Sequence, residues 1–516
     1  MKSKFTYFWN QPWSLSITAG ILLGLSWPPV DLPILQFVAF IFLFRLAELS
    51  DGWRDLFIKS YVSFVIWNII TTYWLMMATI SGGVAAILAN SFLMVLPLLA
   101  IRKLMQLRLH LLWTALLAGS VWVSYEFLHH QWDLAWPWLS LGNGWSNATM
   151  IIQYISYTGF LGISFWVIAV STAAWKMISI PNRNHFVWTT TLFLLFPLLS
   201  LISWATWQEE PSGELNVAIV QPNLDSYLDY GGLESTDKVI QLLMEVSDSI
   251  RTDDTDLIIW PENAIETAIP VQNRFNEQIR DSLVRWNTQL ITGAGFIDNY
   301  ENVPPPPVVR GRFGNRSFNV YNAAFHYDRP GLMNIYKKNK LVPVVERFPF
   351  VETFNRLDRL DWISWGEVAG YGIGLDANNF QIGDYKTPAL ICYDSVFPQW
   401  AGEFVRNGAG FLTIITNDGW WGKTSGHVQH FAYARLRAIE FRQWVARSAN
   451  NGISGIIAPD GSVKVETDYW VRTGFTHTIY PTEKLTFFAR HGMAFNGLML
   501  LGAAITLLLL YIKRER

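Results

Sequence analysis

Residues 387–398 read TPALICYDSVFP, and Cys392 within them is the only cysteine of the chain. The apolar run before the cysteine has the length and content of a buried strand. In open α/β sheets, reacting groups gather just beyond the carboxyl ends of strands. Two other segments deliver a charged side chain in the same way. Residues 256–264, DLIIWPENA, place Glu262 after a strand over 257–260, and residues 336–346, YKKNKLVPVVE, offer Lys338 and Glu346. A carboxylate, an ammonium and a thiol delivered like this form a base, an oxyanion stabiliser and a nucleophile. A lone cysteine is by itself more often a small buried hydrophobe. The charged neighbours turn the reading toward chemistry.

A free thiol has a pKa of about 8.5 and is mostly protonated at neutral pH, so it needs a base or a cationic setting. A desolvated glutamate can be that base, because burial raises its pKa. A nearby lysine favours the thiolate and can donate to the oxyanion formed when a carbonyl is attacked. The backbone N–H of Tyr393, next in the chain, is a natural second donor. The nine histidines show no pairing with the cysteine. His427 and His430 in GHVQH read better as one helix face than as metal ligands, so neither metal nor cofactor is expected.

The composition is 51% hydrophobic with only 16% charged residues, against about 25% charged in a soluble domain. The 26 tryptophans add to a membrane reading, since Trp concentrates at bilayer interfaces. The 39 basic and 41 acidic residues give no positive field for nucleic acid. Apolar runs fall at 13–27, 32–44, 61–80, 84–101, 111–127, 161–178, 187–204 and 495–512. The first two are short and flank Pro28-Pro29, so a re-entrant hairpin is an alternative to two spans. The start lacks a cleavage pattern and reads as retained.

Lysine and arginine set the orientation. With the N-terminus inside, the inner segments carry Lys2 and Lys4; Arg45, Arg54 and Lys59; Arg102, Lys103 and Arg108; Lys176 and Arg183; and the KRER tail ending at Arg516. The outer loops 28–31, 81–83 and 129–159 contain neither residue type. Seven crossings then leave 208–490 outside, and an eighth returns the tail.

That outer segment is polar and turn-rich. Strand-like runs at 215–220, 257–260, 290–296, 320–326, 389–392, 411–416 and 453–458 alternate with helical patterns at 236–251, 274–287 and 427–448. Alternation of this kind predicts a layered α/β domain. VPPPPVVRGRFGNRS, 303–317, reads as an exposed loop and a candidate mobile lid. Glu126, near the outer end of the fifth span, reads equally as a functional carboxylate or a solvated one. Trp420 and Trp421 read equally as a lipid entrance or as packed aromatics. The four tryptophans in 132–145 suggest an interfacial anchor.

WPEN, YKKNKLVP, LICYD and TNDGWWG (416–422), in this order and spacing, resemble the Glu-Lys-Cys signature of the nitrilase superfamily. Such a segment between seven spans and one resembles the apolipoprotein N-acyltransferase family. VAIVQPN (217–223), HFAYARLRAIE (430–440), SANNGISGIIAPDG (448–461) and the outer-loop WPWL (136–139) match that family too. The resemblance implies a membrane helical bundle plus α/β: eight transmembrane helices with a nitrilase-like αββα sandwich between the seventh and eighth. The implied domains are a bundle at 1–207, a catalytic domain at 208–490, and a final helix and tail at 491–516. Position by position, Glu262 is the base, Lys338 the oxyanion lysine and Cys392 the acylated nucleophile. Glu346 matches a second glutamate beside the site, and Tyr393 matches the tyrosine after the cysteine. Asp394 stands where the family usually has glutamate, and Tyr230 where many members have tryptophan on a flexible loop.

The activity so implied is acyl transfer, at the periplasmic face of a bacterial inner membrane. The donor is a phospholipid, typically phosphatidylethanolamine, and the acceptor is the α-amino group of a diacylglyceryl apolipoprotein. A membrane-tethered nitrilase-type amidohydrolase would use the same triad but pass the acyl group to water. A non-enzymatic scaffold or transporter is the third class; the intact triad speaks against it.

Overall fold

Each apolar run forms a helix in the computed structural model, which describes residues 9–265, 273–301, 304–328, 333–357 and 368–515. Lys2, Lys4, Val303 and Arg516 lie outside the described residues. The helices are Pro12–Leu25, Leu35–Leu49, Trp53–Thr72, Ile80–Met105, Leu111–His129, Leu161–Ser179, Arg183–Thr206 and Phe487–Glu515. Among the described residues, the last five of these are long and apolar enough to cross a membrane. The first two have 14 and 15 residues. At 1.5 Å per residue they extend about 21–22 Å, short of a hydrocarbon core about 30 Å thick. Trp53–Thr72 has the length but carries Arg54, Asp55 and Lys59 in its first turns.

Two units divide the chain. One comprises Met1–Gln208, Thr424–Glu440 and Thr486–Arg516; the other comprises Glu209–Lys423 and Phe441–Leu485. Residues 424–440, expected inside 208–490, therefore group with the helical unit. Arg183–Thr206 leaves Leu194, Leu195, Leu198 and Ile202 exposed, and the C-terminal helix leaves Leu501, Leu507 and Leu508 exposed. Apolar outer faces on helices that satisfy their own backbone are what a lipid solvent selects, and the chain is a membrane protein. The basic helix ends meet. Arg102 Nη2 donates to Ser50 O at 2.6 Å, Lys513 Nζ to Gln106 O at 2.8 Å, and Lys176 Nζ to Leu109 O. Arg102, Lys176 and Lys513 thus lie at the same end of the bundle, the grouping that the loop asymmetry predicts for them.

At 132–145, Trp138 and Trp145 are only 1% and 2% exposed, so these two pack inside and do not anchor at an interface. Trp138 Nε1 donates to Gln429 Oε1 at 2.8 Å, as does Trp74 Nε1 at 3.4 Å. Gln429 Nε2 in turn donates to Pro28 O at 3.0 Å and Thr71 O at 3.1 Å. One buried amide thereby satisfies two indoles and two carbonyls, which avoids the cost of leaving them unpaired. Glu126 is buried as well, at 4% exposure, and its Oε1 accepts from Leu141 N at 2.9 Å and Trp122 Nε1 at 2.8 Å. It holds the loop at Leu141, and the solvated reading does not stand.

The α/β unit is built on β1 (Leu215–Gln221), β2 (Leu257–Ile259), β3 (Gln289–Tyr300), β4 (Gly311–Phe313), β5 (Arg316–Tyr327), β6 (Met333–Lys337), β7 (Phe380–Ile382), β8 (Tyr385–Thr387), β9 (Ala389–Ile391), β10 (Leu412–Thr416), β11 (Val445–Ala449), β12 (Gly455–Ile457), β13 (Val463–Glu466) and β14 (Thr473–Ile479). The larger sheet has the order β14-β1-β2-β3-β5-β4, with β6 also on β5; a second runs β13-β12-β11-β10-β9; β7 and β8 form a hairpin. β1, β2 and β3 run parallel, as do β9, β10 and β11. Ala218, Val220, Ile258 and Leu290 pack on one face with Val239, Ile240 and Leu243 of the helix Thr236–Ile250 and with Ile279 and Leu283 of Asn273–Trp286. The alternate residues Val217, Ile219, Leu257 and Ile259 are also fully buried. Burial on both faces explains why these strands read as unbroken apolar runs. At the end of β1, Ser448 Oγ from β11 donates to Val220 O at 2.8 Å, joining the two sheets.

Two expectations change here. The helical pattern at 427–448 ends at Phe441; Arg442 takes φ +54°, and Val445–Ala449 pairs with β10 instead. Pairing with a buried neighbour overrides local propensity. The 303–317 segment is no free loop over its described residues: Val308 is 5% exposed, and Gly311–Phe313 pairs with β5.

Candidate active site

Glu262, Lys338 and Cys392 each follow the last residue of a strand or lie within three residues of it. After β2, Trp260 is pinned by its Nε1, which donates to Ser247 Oγ at 2.9 Å. Gly293 N donates to Pro261 O at 3.0 Å. A Cβ on Gly293 would stand 2.6 Å from Glu262 Cα, so only glycine lets β3 come this close to the carboxylate's backbone. β6 ends at Lys337 and hands the chain to Lys338, whose N–H donates to Asn322 O at 2.9 Å. Lys337 pairs with Asp298 at 2.5 Å, away from the cluster. Cys392 opens a tight turn after β9 with φ +46°, a conformation that non-glycine residues rarely hold.

Lys338 Nζ lies 3.1 Å from Glu262 Oε1 and 2.8 Å from Glu346 Oε1. Asn322 Nδ2 donates to the same two oxygens, at 2.8 and 3.0 Å. Asn417 N donates to Glu262 Oε2 at 2.9 Å, and Val342 N to Glu346 Oε2 at 2.7 Å. Lys338 is 1% exposed and Glu262 4%. Burial opposes the ammonium, yet the carboxylates of Glu262 and Glu346 outweigh it and hold Lys338 well above its ordinary pKa. Burial raises Glu262, the Lys338 charge opposes that rise, and the Glu346 charge adds to it.

Cys392 is 8% exposed. Burial and then the Glu262 charge raise its thiol well above the usual value, against smaller opposing effects of Lys338 and of a hydrogen bond with Thr416. The resting group is therefore a thiol. Lys338 favours the thiolate, as expected, but does not win. Two of the three ammonium hydrogens of Lys338 are engaged by Glu262 and Glu346, which leaves one for a substrate oxygen.

The supporting residues divide. Glu346 joins the cluster directly. Tyr393 is buried, with its ring edge-on to Phe397 at 5.1 Å. Asp394 is fully buried and accepts from Tyr336 Oη at 2.9 Å, Lys340 N at 2.8 Å and Ile391 N at 3.2 Å. Burial pushes its pKa up to about 6. It ties the turn bearing Cys392 to the segment bearing Lys338, a positioning task that suits the short reach of aspartate. His430 packs its ring 5.6 Å from Trp138 in the helical unit. Asn322 was not singled out in the sequence, and Thr416 and Asn417 stood there only as part of the TNDGWWG match, with no role of their own. For Asn322 the available signal was an amide set between Val320 and Ala324 on one face of β5.

The chain is similar to known proteins over most of its length. Residues 19–173 match the apolipoprotein N-acyltransferase N-terminal domain, and residues 216–482 match the carbon-nitrogen hydrolase family. The apolipoprotein N-acyltransferase of Chlorobaculum tepidum is 32% identical over 93% of this chain and 93% of its own. That of Geobacter metallireducens is 24% identical over 97% and 95%. A solved CN-hydrolase superfamily protein from Xanthomonas campestris covers 56% of this chain and 96% of its own at 17% identity, with a TM-score of 0.36. On its full-length likeness to the first of these relatives, the chain belongs to the apolipoprotein N-acyltransferase family of membrane acyltransferases, with a carbon-nitrogen hydrolase α/β domain.

Proposed function

We propose that this enzyme moves a fatty acyl group from a phospholipid, phosphatidylethanolamine, to the α-amino group of the diacylglyceryl-cysteine that begins an apolipoprotein, through a thioester on Cys392. The observation that carries the reading is the buried Glu262 and Lys338 acting on the Cys392 thiol at the strand ends, with Glu346 paired to the same lysine. In the first half-reaction Glu262 takes the S–H proton as sulfur attacks the acyl carbonyl. The third N–H of Lys338 and the N–H of Tyr393 stabilise the oxyanion. Collapse breaks the ester, and the proton on Glu262 passes to the departing lysophospholipid oxygen. In the second half-reaction the acceptor amine attacks the thioester, Glu262 takes its proton, and collapse releases the amide and returns the thiol. A resting thiol, and not a thiolate, suits this order, because deprotonation then waits for the substrate. Burial of all three groups supports retention of the thioester against water.

The proposal extends to topology: eight spans, with the basic bundle end in the cytoplasm and the α/β unit on the periplasmic side of a bacterial inner membrane. The clustered basic ends and the cation-free loops 28–31, 81–83 and 129–159 support it.

Intact mass of the purified protein tests the chemistry. Incubation with phospholipid should add one fatty acyl group on Cys392, and a diacylglyceryl-cysteine peptide with a free amine should discharge it far faster than water. Acetylating that amine should stop the discharge. Free fatty acid released equally fast with and without acceptor would make the enzyme a hydrolase.

A further inference from the structure

A cavity of about 300 Å³ lies beside Glu262 within the α/β unit. Asn263, which follows Glu262 in the chain, lines it, and so does Asn417, whose backbone N–H donates to Glu262 Oε2 at 2.9 Å. The turn carrying Asp225, Ser226 and Tyr230 lines it as well. That turn is fastened. Ser226 Oγ donates to Asn417 Oδ1 at 2.8 Å, Tyr227 Oη to Trp420 O at 2.8 Å, and Tyr227 N to Asp225 Oδ1 at 2.9 Å.

The charge on this lining is one-sided. Among the described residues that line the cavity, Asp225 is the single charged side chain, and no lysine, arginine or histidine is present. The remaining polar lining is hydroxyl and amide, and Tyr230, Tyr371 and Trp420 contribute aromatic rings. Tyr230 and Trp420 are each 40% exposed, so these rings border the opening. A phosphate would find no cation here. An ammonium would find a carboxylate with lone pairs to spare after accepting one N–H, together with ring faces that attract cations.

We propose that this cavity holds a primary ammonium group and is the subsite for the ethanolamine end of the phospholipid donor. The inference rests on the acyl-transfer reading and adds to it which end of the donor is recognised. Both substrates bring an amine, but only one can use this site productively. The acceptor amine must lose its proton before it attacks the thioester, and a carboxylate partner would keep it protonated. The ethanolamine ammonium takes no part in bond making, so the same partner only orients it. The donor's phosphate then stays outside the cavity, and its acyl ester is directed along the Glu262 side.

The test uses the full-length protein. Cys392 loading is timed by intact mass, without acceptor, from phosphatidylethanolamine and from phosphatidylglycerol of matched acyl chains. Wild type should prefer the ethanolamine donor. Asp225→Asn should cut the ethanolamine-to-glycerol rate ratio about tenfold, the scale of one charge-assisted contact. An unchanged ratio would overturn the proposal. So would a variant that loads normally but discharges slowly to the acceptor peptide, since that would assign the site to the acceptor amine. Binding of glycerophosphoethanolamine to the Cys392→Ala protein is measured alongside, with glycerophosphoglycerol as control. It should weaken about tenfold in the Asp225→Asn background. If wild type forms no acyl adduct from either donor, the transfer reading fails while this binding result still decides the cavity: loss upholds the ammonium site, and no change rejects it.

Discussion

Glu262 and Glu126 are each 4% exposed, yet the two glutamates sit in opposite surroundings. In the α/β unit, Glu262 meets the Lys338 ammonium at 3.1 Å, shares it with Glu346, and takes further donors from Asn322 and Asn417. In the helical unit, the groups acting on Glu126 are neutral: the Leu141 and Trp122 N–H groups and the Ser164 hydroxyl. A buried carboxylate with a cation beside it can be ionised and serve as a base, because the ammonium favours its charged form against the cost of burial. One held by neutral donors is asked only to accept. Burial alone therefore does not mark a catalytic carboxylate; the partner's charge does, and substitutions can separate the two cases.

The largest effect is expected at the group both substrates must meet. Cys392→Ala should form no acyl adduct and give no turnover. Cys392→Ser should lose nearly all activity with an unchanged melting curve, because a carboxylate generates an alkoxide far less readily than a thiolate. Turnover in the alanine protein would remove the cysteine from the mechanism.

Next is Lys338→Met. Loss of a charge-assisted oxyanion donor should cost about 3–4 kcal/mol of transition-state stabilisation, or roughly 10²–10³ in rate. It also leaves Glu262 and Glu346 sharing Asn322 without a cation. Thermal unfolding in detergent should therefore fall too, since breaking a buried ion pair costs about 3–5 kcal/mol. A rate loss with no change in unfolding would show that the lysine does not hold the pair in the resting protein.

Glu262→Gln sharpens the comparison through pH. Burial raises Glu262, so the wild-type rate should climb as pH rises through that elevated value and then level as the base becomes fully ionised. In the glutamine variant the rate should track ionisation of the thiol alone, which burial still raises although the Glu262 charge that also raised it is gone and Lys338 opposes the rise. The variant should be strongly impaired near neutrality and recover with rising pH, beyond where wild type has levelled. Parallel profiles would make Glu262 structural.

What the chain reveals of itself differs between these regions for physical reasons. Spans announce themselves by composition, and strands buried on both faces, such as β1 and β2, by unbroken apolar runs. The strand-end placement of Glu262, Lys338 and Cys392 was legible because each follows such a run or a distinctive charged segment. β14 was not, since its surface is half-buried and mixed, and β11 was hidden because VARSA carries no strand pattern without its partner β10. Asn417 stayed hidden for a different reason: it acts through its backbone N–H, which every residue owns. The four bonds of Gln429 depend on groups at Pro28, Thr71, Trp74 and Trp138, far apart in sequence, and no spacing rule joins them.

The smallest effect is expected from the same change at the other glutamate. Glu126→Gln keeps an sp² oxygen at the position that accepts from Leu141 N–H and Trp122 Nε1, so neither donor is orphaned. Its new amide nitrogen takes the place of Glu126 Oε2, which has no hydrogen-bond partner among the described residues. Activity should stay within about twofold of wild type, and unfolding within about 1 kcal/mol, the net scale of one exchanged hydrogen bond. Glu126→Ala removes the acceptor and strands both N–H groups in a buried setting, a cost of about 1–3 kcal/mol for each group left unsatisfied. The alanine variant should loosen 132–145, read as faster proteolysis of that loop in the detergent-solubilised protein. Thus Gln should rescue where Ala fails at position 126, whereas at position 262 glutamine itself should fail. A Glu126→Gln enzyme as inactive as Glu262→Gln would mean that Glu126 too needs its charge, and that the neutral surroundings hide a second proton-handling carboxylate.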